Sequence, residues 1–333
     1  MIETLRTRRL VLCALGALAV AAASPAAAQT TLRLAHHHGV GGTVDQGANR
    51  FADLVKERSG GKLLVRVFPA AQLGQEREAF GLVNTGALDL SITSLAILDQ
   101  VYPPINVTSL PFVFRDWDHV NKLYNGEFGK VLAEGVKAKT GSTILGYLHL
   151  GFRDMLFRGE PMQDVATMRG VKMRSPEAAM WVRMFELLGA RPTPVTWGEV
   201  YAAMQTGVAD GLESPAMAAL DMKFNEVTKS VVRTRHMFAS MGLCANSARF
   251  AKLPADQQEL LIKAAHDAMN WVNDSLARPG EEEAYKKMAS LGMRVVEPNQ
   301  PDAWAKSMQP LWLETTSKIP NSDQLLKLIT ETK

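Results

Sequence analysis

Arg174 is the residue of this chain whose type and position point most directly to ligand chemistry. It lies in RGVKMRSPEAAMWVRMF (169–185), where apolar residues alternate with Lys172 and Arg174 in the period-2 pattern of a short strand. Ser175 offers an N-cap oxygen and Pro176 suits the first turn of a helix, which predicts that Arg174 ends a strand just before a helix. Ligands of α/β sheets bind outside the carboxyl ends of the strands. We therefore expect Arg174 to bind an anion, and a surface or ion-pairing arginine is the alternative.

The planar guanidinium of Arg174 is best matched to a carboxylate. It can donate two parallel hydrogen bonds to the two oxygens, and charge-assisted bonds of this kind contribute about 1.5–3 kcal/mol each. A lysine would supply the charge without the fork. The N-terminal amides of the helix that follows would add to the attraction.

Two glutamates in RPTPVTWGEVYAAMQTGVADGLESP (191–215) raise the possibility of acid–base catalysis. Thr196 and Glu199 fit the capping box of a short helix, which gives Glu199 a structural role. Glu213 is expected to pair with Arg174 or to hold its own strand. The sequence offers no nucleophile–base pair and no phosphate-binding loop beside them, so catalysis is the weaker interpretation.

The run His36-His37-His38 invites a metal-site interpretation. Neighbouring side chains on a strand point to opposite faces, and no second His or Cys cluster offers further ligands. We instead expect the histidines at the end of the first strand, on a loop that faces a cleft. One of them could hydrogen-bond a hydroxyl or carboxylate of a substrate there. Neither a metal nor another cofactor is predicted.

The first 28 residues have the pattern of a cleavable export signal. Three arginines precede an apolar, alanine-rich run (10–23), and Ala26 and Ala28 form the small-residue pair of a cleavage site. The run is short for a membrane anchor. We expect export to the periplasm by the general secretory route, with the adjacent arginines at positions 8 and 9 leaving a twin-arginine route as the alternative.

The mature chain has the composition of an exported protein outside the membrane. The formal net charge of +3 falls to +1 when the three arginines and one glutamate of the signal are removed, which argues against nucleic-acid binding. Cys244 is then the one cysteine, so no intramolecular disulfide can form. The remaining length suits two domains, and no later apolar segment is long enough to span a bilayer. We expect a monomer.

Strand-like and helix-like segments alternate along the chain, which predicts an α/β fold built from doubly wound sheets. The first set is expected to end near residue 150, where a returning strand leads into a second set. The predicted strands are 31–37, 62–69, 87–94, 142–152, 170–174, 191–195, 208–215 and 237–246, and the clearest helices are 47–60, 76–84 and 254–290, the last interrupted at 278–280.

Three segments give the chain a resemblance to a known family. FPAAQLGQEREAFGLVNTGALDL (68–90), MRGVKMRSP (168–176) and LGARPTPVTWGEVYAAMQTGVADGLESP (188–215) resemble signature segments of the periplasmic solute-binding proteins of tripartite ATP-independent periplasmic (TRAP) transporters. This DctP-like family includes the C4-dicarboxylate and sialic acid binders. The resemblance covers essentially all of the mature chain, and the third segment is the most specific.

The resemblance implies a two-lobed periplasmic-binding-protein fold, type II-like, in which hinge strands join two doubly wound α/β domains. On this pattern, residues 29–150 and 240–279 form lobe I, and residues 151–239 and 280–333 form lobe II. The implied function is a receptor without catalysis that captures a small organic acid. Its implied partners are the membrane permease subunits of a TRAP transporter.

The resemblance also implies site residues. The principal carboxylate-binding arginine of the family falls on Arg174, and a second falls on Arg153, for which an ion pair with Asp154 or another nearby acid is the alternative. The pocket aromatic falls on Trp197, which could instead cover the core. An asparagine of the family signature is replaced by Ser214, a shorter hydrogen-bonding group. The predicted substrate-binding residues are Arg174, Arg153, Trp197, Ser214 and Glu213, with His37, Glu76 and Ser94 added by analogy.

Two other functions are compatible with the same residues. An exported enzyme could use Arg174 to anchor a carboxylate substrate. A ligand-loaded co-receptor for a sensor kinase could use the same pocket with a different partner, and permease genes beside this gene would favour transport over that role.

Overall fold

The computed structural model of the protein describes residues 29–333, and the predicted export signal lies outside the described residues. Within this part, nine strands form one sheet in the order β2-β1-β3-β8-β4-β7-β5-β6, with β9 paired to β8. The strands are β1 (Thr30–Ala35), β2 (Leu63–Phe68), β3 (Leu90–Ser94), β4 (Ser142–Phe157), β5 (Lys172–Ser175), β6 (Arg191–Pro194), β7 (Gly211–Pro215), β8 (Ser230–Asn246) and β9 (Arg294–Val296).

Within residues 29–333, helices connect the strands and pack against the sheet. None of them combines the length and apolar character needed to cross a membrane. They are α1 (Thr43–Arg58), α2 (Glu76–Thr85), α3 (Trp117–Tyr124), α4 (Glu127–Lys139), α5 (Ala179–Leu187), α6 (Val200–Thr206), α7 (Ala216–Asp221), α8 (Ser247–Ala251), α9 (Ala255–Val272), α10 (Arg278–Ser290), α11 (Pro301–Met308), α12 (Pro310–Lys318) and α13 (Ser322–Glu331).

The N-terminal segment forms the parallel β–α–β–α–β unit that the alternation predicts. β1 pairs in parallel with β2 on one side and with β3 on the other. α1 buries an apolar stripe that includes Val44, Phe51 and Val55 against this part of the sheet. β1 ends at Ala35, two residues before the predicted end, so the three histidines follow the strand instead of continuing it.

β4 and β8 are long strands that run through both halves of the sheet. Residues 241–245 of β8 pair with β3, whereas residues 230–232 pair with β9. β4 pairs with β8 along most of its length and with β7 through residues 153–157. The two halves are thus joined by shared strands, which is the two-lobed arrangement with hinge strands expected for this fold class.

The two shared strands are longer than the sequence pattern predicts. β4 extends beyond residue 152 and β8 begins before residue 237, because charged residues there interrupt the apolar alternation on which the prediction depended. The structure accommodates these residues in pairs. Asp154 is buried and accepts hydrogen bonds from the backbone N–H of Arg235 at 2.9 Å and from the hydroxyl of Tyr285.

The second half of the sheet is built from β5, β6 and β7, and it corrects one local prediction. Ser175 is the last residue of β5 and not an N-cap, because its carbonyl accepts the N–H of Val195 and so continues the ladder to β6. α5 begins only at Ala179, with no side-chain cap at Ala178. The helix amides that were expected beside Arg174 therefore start five residues after it.

The long helical region at 254–290 is interrupted close to the predicted place. α9 continues through a π-helical turn (273–277) into α10, and Pro279 in the first turn of α10 has no N–H to donate to the preceding helical turn. Cys244 in β8 is a buried free thiol, and burial raises its pKa to about 12.

Candidate functional site

A cavity lies where the two halves of the sheet meet. It encloses about 520 Å³ of space, part of it open to solvent, and its wall combines residues of the first half, the shared strands and the second half. Six of the eight predicted substrate-binding residues border it, namely His37, Glu76, Ser94, Arg153, Arg174 and Trp197. Glu213 and Ser214 do not.

Arg174 is a buried cation without a carboxylate partner. Its Nε and Nη2 both donate to the carbonyl oxygen of Val195, at 2.9 and 2.8 Å, and its guanidinium lies 5.4 Å from the ring centroid of Trp197. Among residues 29–333, no acidic side chain is within ion-pair distance of it. Desolvation lowers the pKa of Arg174 to about 10, so the group stays charged at pH 7. A buried charge of this kind is costly unless an anion joins it.

Arg153 is held by Glu213. Its Nε donates to Oε2 of Glu213, and its Nη2 donates to Oε1 at 2.7 Å and to the Glu213 carbonyl at 3.2 Å. β4 and β7 are antiparallel with Arg153 opposite Pro215, so Glu213 is a diagonal neighbour on the same face. The predicted alternative of an ion pair is therefore what the structure shows, with Glu213 in place of Asp154.

Glu213 and Ser214 are fully buried and lie away from the cavity. Of the two roles expected of Glu213, pairing with Arg174 is not observed, because its carboxylate pairs with Arg153 and so links β7 to β4. The hydroxyl of Ser214 donates to the carbonyl of Pro215 at 3.0 Å. In this geometry neither side chain borders the cavity.

On the opposite wall, Glu76 organises the polar groups of the first half. Its carboxylate accepts the N–H of Ser94 at 2.5 Å and lies 3.6 Å from Nε2 of His37. The ring of His38 packs in a tilted arrangement between the rings of His37 and Trp197, with centroid distances of 4.5 and 5.4 Å. Burial lowers the pKa of both histidines, so their rings are neutral at pH 7.

The three histidines do not share one environment. His36 leaves the cavity and contacts Asp45, with Nε2 3.1 Å from Oδ1. His37 and His38 border the cavity. Within residues 29–333, no group of three or more His, Cys, Asp or Glu side chains is arranged to hold a metal ion.

Thr196 and Glu199 do not form the predicted capping box. Residues 197–199 form a single 3₁₀ turn ahead of α6, and the hydroxyl of Thr196 donates to the Glu199 carboxylate at 2.8 Å instead of capping a backbone N–H. The turn still places Trp197 at the cavity.

Trp181 is the main cavity residue that sequence reasoning missed. It was assigned to the apolar stripe of α5, but its ring borders the cavity and lies 5.7 Å from the guanidinium of Arg153. Its place in the first turn of a helix that follows a strand end was a usable signal, since that edge of the sheet is where ligands bind.

The two halves also touch outside the cavity. Asp221 at the end of α7 accepts hydrogen bonds from the N–H and the hydroxyl of Thr43, at 2.8 and 2.9 Å, and so caps the N-terminus of α1. Arg77 donates to the carbonyl of Glu177 at 2.8 Å. These contacts join the first half to the second.

Two α/β halves joined by shared strands around a cavity with a buried arginine are the architecture of a solute-binding protein. The chain belongs to the bacterial extracellular solute-binding protein family 7, whose family model matches residues 34–318.

Named relatives and solved structures agree with this membership. The sialic acid-binding periplasmic protein SiaP of Vibrio cholerae is 28% identical over 302 residues, covering 91% of this chain and 93% of that protein. The C4-dicarboxylate-binding periplasmic protein DctP of Rhodobacter capsulatus is 28% identical over 320 residues, covering 94% and 95%.

Two solved TRAP periplasmic solute-binding proteins share the fold. One, from Sulfitobacter sp. NAS-14.1 with bound β-D-galacturonate, has a TM-score of 0.86 and 28% identity, covering 90% of this chain and 99% of that chain. The other, from Sulfurospirillum deleyianum with bound succinate, has a TM-score of 0.85 and 27% identity, covering 92% and 100%.

Proposed function

We propose that this protein is the periplasmic receptor of a TRAP transporter, which captures an organic acid through Arg174 and delivers it to the membrane permease subunits. The named ligands of its relatives, sialic acid, C4-dicarboxylates, galacturonate and succinate, all carry carboxylates. The proposal includes no catalytic step and no cofactor.

The observation that carries the proposal is the state of the Arg174 side chain. It is buried at the cavity wall, and the hydrogen bonds it makes go to one backbone carbonyl. The N–H groups that remain on Nη1 and Nη2 can donate to a carboxylate in parallel. The ligand would supply the ion-pair partner that Arg174 lacks among residues 29–333.

The other cavity residues receive supporting roles. Arg153, positioned by Glu213, adds a second cation beside the carboxylate, and Trp197 holds the Arg174 guanidinium from one side. His37, Glu76 and Ser94 would contact the ligand from lobe I. Glu213 acts through Arg153, and Ser214 receives no ligand contact.

We further propose that the lobes are residues 29–150 with 240–279 and residues 151–239 with 280–333, and that they close on the ligand by bending the shared strands β4 and β8. Register shifts interrupt the β4–β8 ladder at three places. One lies at Gly151, whose φ is 100° and where a Cβ would lie 2.7 Å from the Glu281 carboxylate. Bulges of this kind bend strands.

A thermal-shift screen of the mature protein tests the proposal. Organic acids should raise its Tm, because a ligand that binds the folded state alone stabilises it. The methyl ester or amide of each active acid should have no effect, since it lacks the charge that Arg174 requires. Equal stabilisation by acid and ester would contradict carboxylate recognition, and a screen without any stabilising acid would contradict the receptor function.

A further inference from the structure

The formal charges at the cavity wall and directly behind it cancel before any ligand enters. The charged residues that border it within residues 29–333 are Arg153, Arg174 and Glu76. Glu213 lies directly behind Arg153 and pairs with it. Two formal positive charges thus face two formal negative ones. Neutral His37 and His38 add none, because burial lowers their pKa.

This balance limits how much negative charge a ligand can bring. One carboxylate can pair with Arg174, the cation that has no acidic partner within residues 29–333. A second carboxylate on the same molecule would have no free cation to pair with, because Arg153 is already paired with Glu213. It would also be repelled by Glu76 at the cavity wall. Like charges that are close together in a desolvated site repel strongly, and a buried charge without a partner is costly.

The rest of the cavity wall is mainly apolar. The hydroxyls that border it belong to Ser94 and Ser240, and that of Ser240 is already bonded to Nδ1 of His149 at 3.0 Å. Four ring nitrogens on cavity residues have no hydrogen-bond partner within the described residues, namely Nδ1 of His37 and His38 and Nε1 of Trp181 and Trp197, and each suits one polar atom of a ligand. The remaining wall consists of Ala96, Ile97, Leu150, Pro176, Trp181, Trp197, Pro215, Ala218, Ala239 and Met241.

The apolar part of this wall discriminates against a ligand with many hydroxyls, because in the part of the chain that the structure describes it offers no partner beyond the few polar groups named above. Each hydroxyl that loses water without gaining a protein partner weakens binding, whereas an apolar body gains from burial against the indole rings of Trp181 and Trp197.

We propose that the ligand is an organic monocarboxylate with a largely apolar body, and that Glu76 determines specificity by excluding dicarboxylates. This inference rests on the proposed function, because it places the single carboxylate at Arg174. It goes further by naming the ligand class and the residue that selects it.

One matched pair of acids tests the charge argument. Pentanoate and glutarate have five carbons each and differ in the second carboxylate. Calorimetric titration of the mature protein should show pentanoate binding at least tenfold more tightly. Equal binding, or tighter binding of glutarate, would overturn the inference.

A second pair of acids tests whether the apolar part of the cavity wall disfavours ligands with many hydroxyls. Cyclohexanecarboxylate and glucuronate both place a carboxylate on a six-membered ring, but glucuronate carries several hydroxyls. We expect cyclohexanecarboxylate to bind at least tenfold more tightly. Tighter binding of glucuronate would show that the wall satisfies the hydroxyls of a sugar acid.

The role of Glu76 is tested by Glu76→Gln, in which the amide oxygen can still accept the N–H of Ser94. Its preference for pentanoate over glutarate should fall about tenfold or more, because the variant removes one negative charge from the wall. Glu78→Gln is the matched control, since Glu78 is an exposed acid on the same helix that does not border the cavity. An unchanged preference in Glu76→Gln would refute the role of Glu76.

The same measurements distinguish a failure of this inference from a failure of the proposed function on which it rests. If the tightest binder in the wider screen is a dicarboxylate or a sugar acid, the inference is wrong and the receptor function stands. If no acid of any class binds, the proposed function fails and the inference fails with it.

Discussion

At the scale of the residue, Arg174 and Arg153 border one cavity but differ in their partners. Arg153 has a carboxylate from its own sheet, whereas Arg174 has a backbone carbonyl. An ion-paired guanidinium mainly maintains the structure of the site, while one that lacks an acid retains free N–H donors for a ligand. The two arginines should therefore respond differently to mutation.

Replacing Arg174 should weaken ligand binding much more than it affects folding. Arg174→Ala removes both bonds to the carboxylate, a loss of roughly 3–5 kcal/mol, so affinity should fall about a hundredfold to a few thousandfold. The unliganded variant should melt no lower than the parent, because it loses a desolvated charge. Calorimetry with the acid that gives the largest thermal shift would measure the first effect, and a melt the second.

Two further variants sharpen this prediction. Arg174→Lys should recover part of the affinity, since it keeps the charge and loses the fork. Arg191→Ala is the control, because Arg191 is an exposed residue of the neighbouring strand β6. A lysine variant that binds as tightly as the parent would show that Arg174 contributes diffuse charge alone.

Replacing Glu213 should instead destabilise the protein. Glu213→Leu leaves Arg153 without its counter-charge, and breaking a buried pair costs roughly 3–5 kcal/mol of unfolding free energy. Arg153→Met combined with Glu213→Leu should lose less than the single Glu213 replacement, since no charge is left unpaired. Urea unfolding of the three proteins measures the difference. If the double replacement were the least stable of them, packing and not charge would dominate at this pair.

At the scale of the element, the N-terminus of α1 depends on the other half of the molecule. The N-cap residue Gly42 has no side chain to offer, and the cap comes from Asp221 at the end of α7. A helix capped by a distant residue keeps that cap only while the two elements stay together. If the two lobes close on a ligand as proposed, Asp221 is placed to favour the closed arrangement.

Removing this cap should weaken ligand binding modestly. A lost N-cap costs about 0.5–2 kcal/mol, so Asp221→Ala should reduce the affinity for the active acid by roughly 2- to 30-fold if the contact forms on closure. Calorimetry on the variant measures this. Asp256→Ala, which removes an exposed acid from the first turn of α9, is the matched control.

Small-angle scattering would link the cap to closure. The parent protein should compact when the acid is added, and the Asp221→Ala variant should need a higher ligand concentration for the same change. A variant with unchanged affinity and an unchanged scattering response would show that α1 and α7 stay together with or without ligand.

At the scale of the whole molecule, buried histidines should make the fold sensitive to acid. Burial lowers the pKa of His149 and of His236 to about 3, against 6.5 for an ordinary histidine. Between pH 3 and pH 6.5 these histidines are protonated in the unfolded chain and neutral in the folded chain. The free energy of unfolding therefore falls as the pH drops from 6.5 towards 3. Each proton contributes about 1.4 kcal/mol per pH unit.

Asp154 opposes this trend. Burial raises its pKa to about 7 from an ordinary 3.8, so its contribution is lost as the pH rises through that range. Since His149 and His236, together with the buried His37 and His38, outweigh one aspartate, we expect the Tm to rise from pH 4 to pH 6.5 and then to level off. His149→Gln should make the rise shallower and Asp154→Asn should make it steeper. Melts across this range test both, and a Tm independent of pH would contradict the buried neutral state of the histidines.

The sequence by itself determined the elements and the identity of the key residue. Period-2 and helical patterns located the parallel unit of β1–β3 and the helices between its strands. They could do so because the buried face of a strand or helix produces a regular spacing of apolar residues in the sequence. It also singled out Arg174 at a strand end, and the resemblance to a family supplied the two-lobed fold. Errors within the predicted elements were local, such as the start of α5 and the ends of β4 and β8, whereas β9 and the helices α11–α13 were not predicted.

What only the tertiary structure decided is which groups meet. Whether Glu213 pairs with Arg174 or with Arg153 depends on the register of β4 against β7, which local patterns do not specify because the strands are about sixty residues apart. The same holds for Trp181 at the cavity and for Asp221 at the N-terminus of α1. Local periodicity reports which face of an element is buried, whereas the partner on that face is set by packing between distant segments.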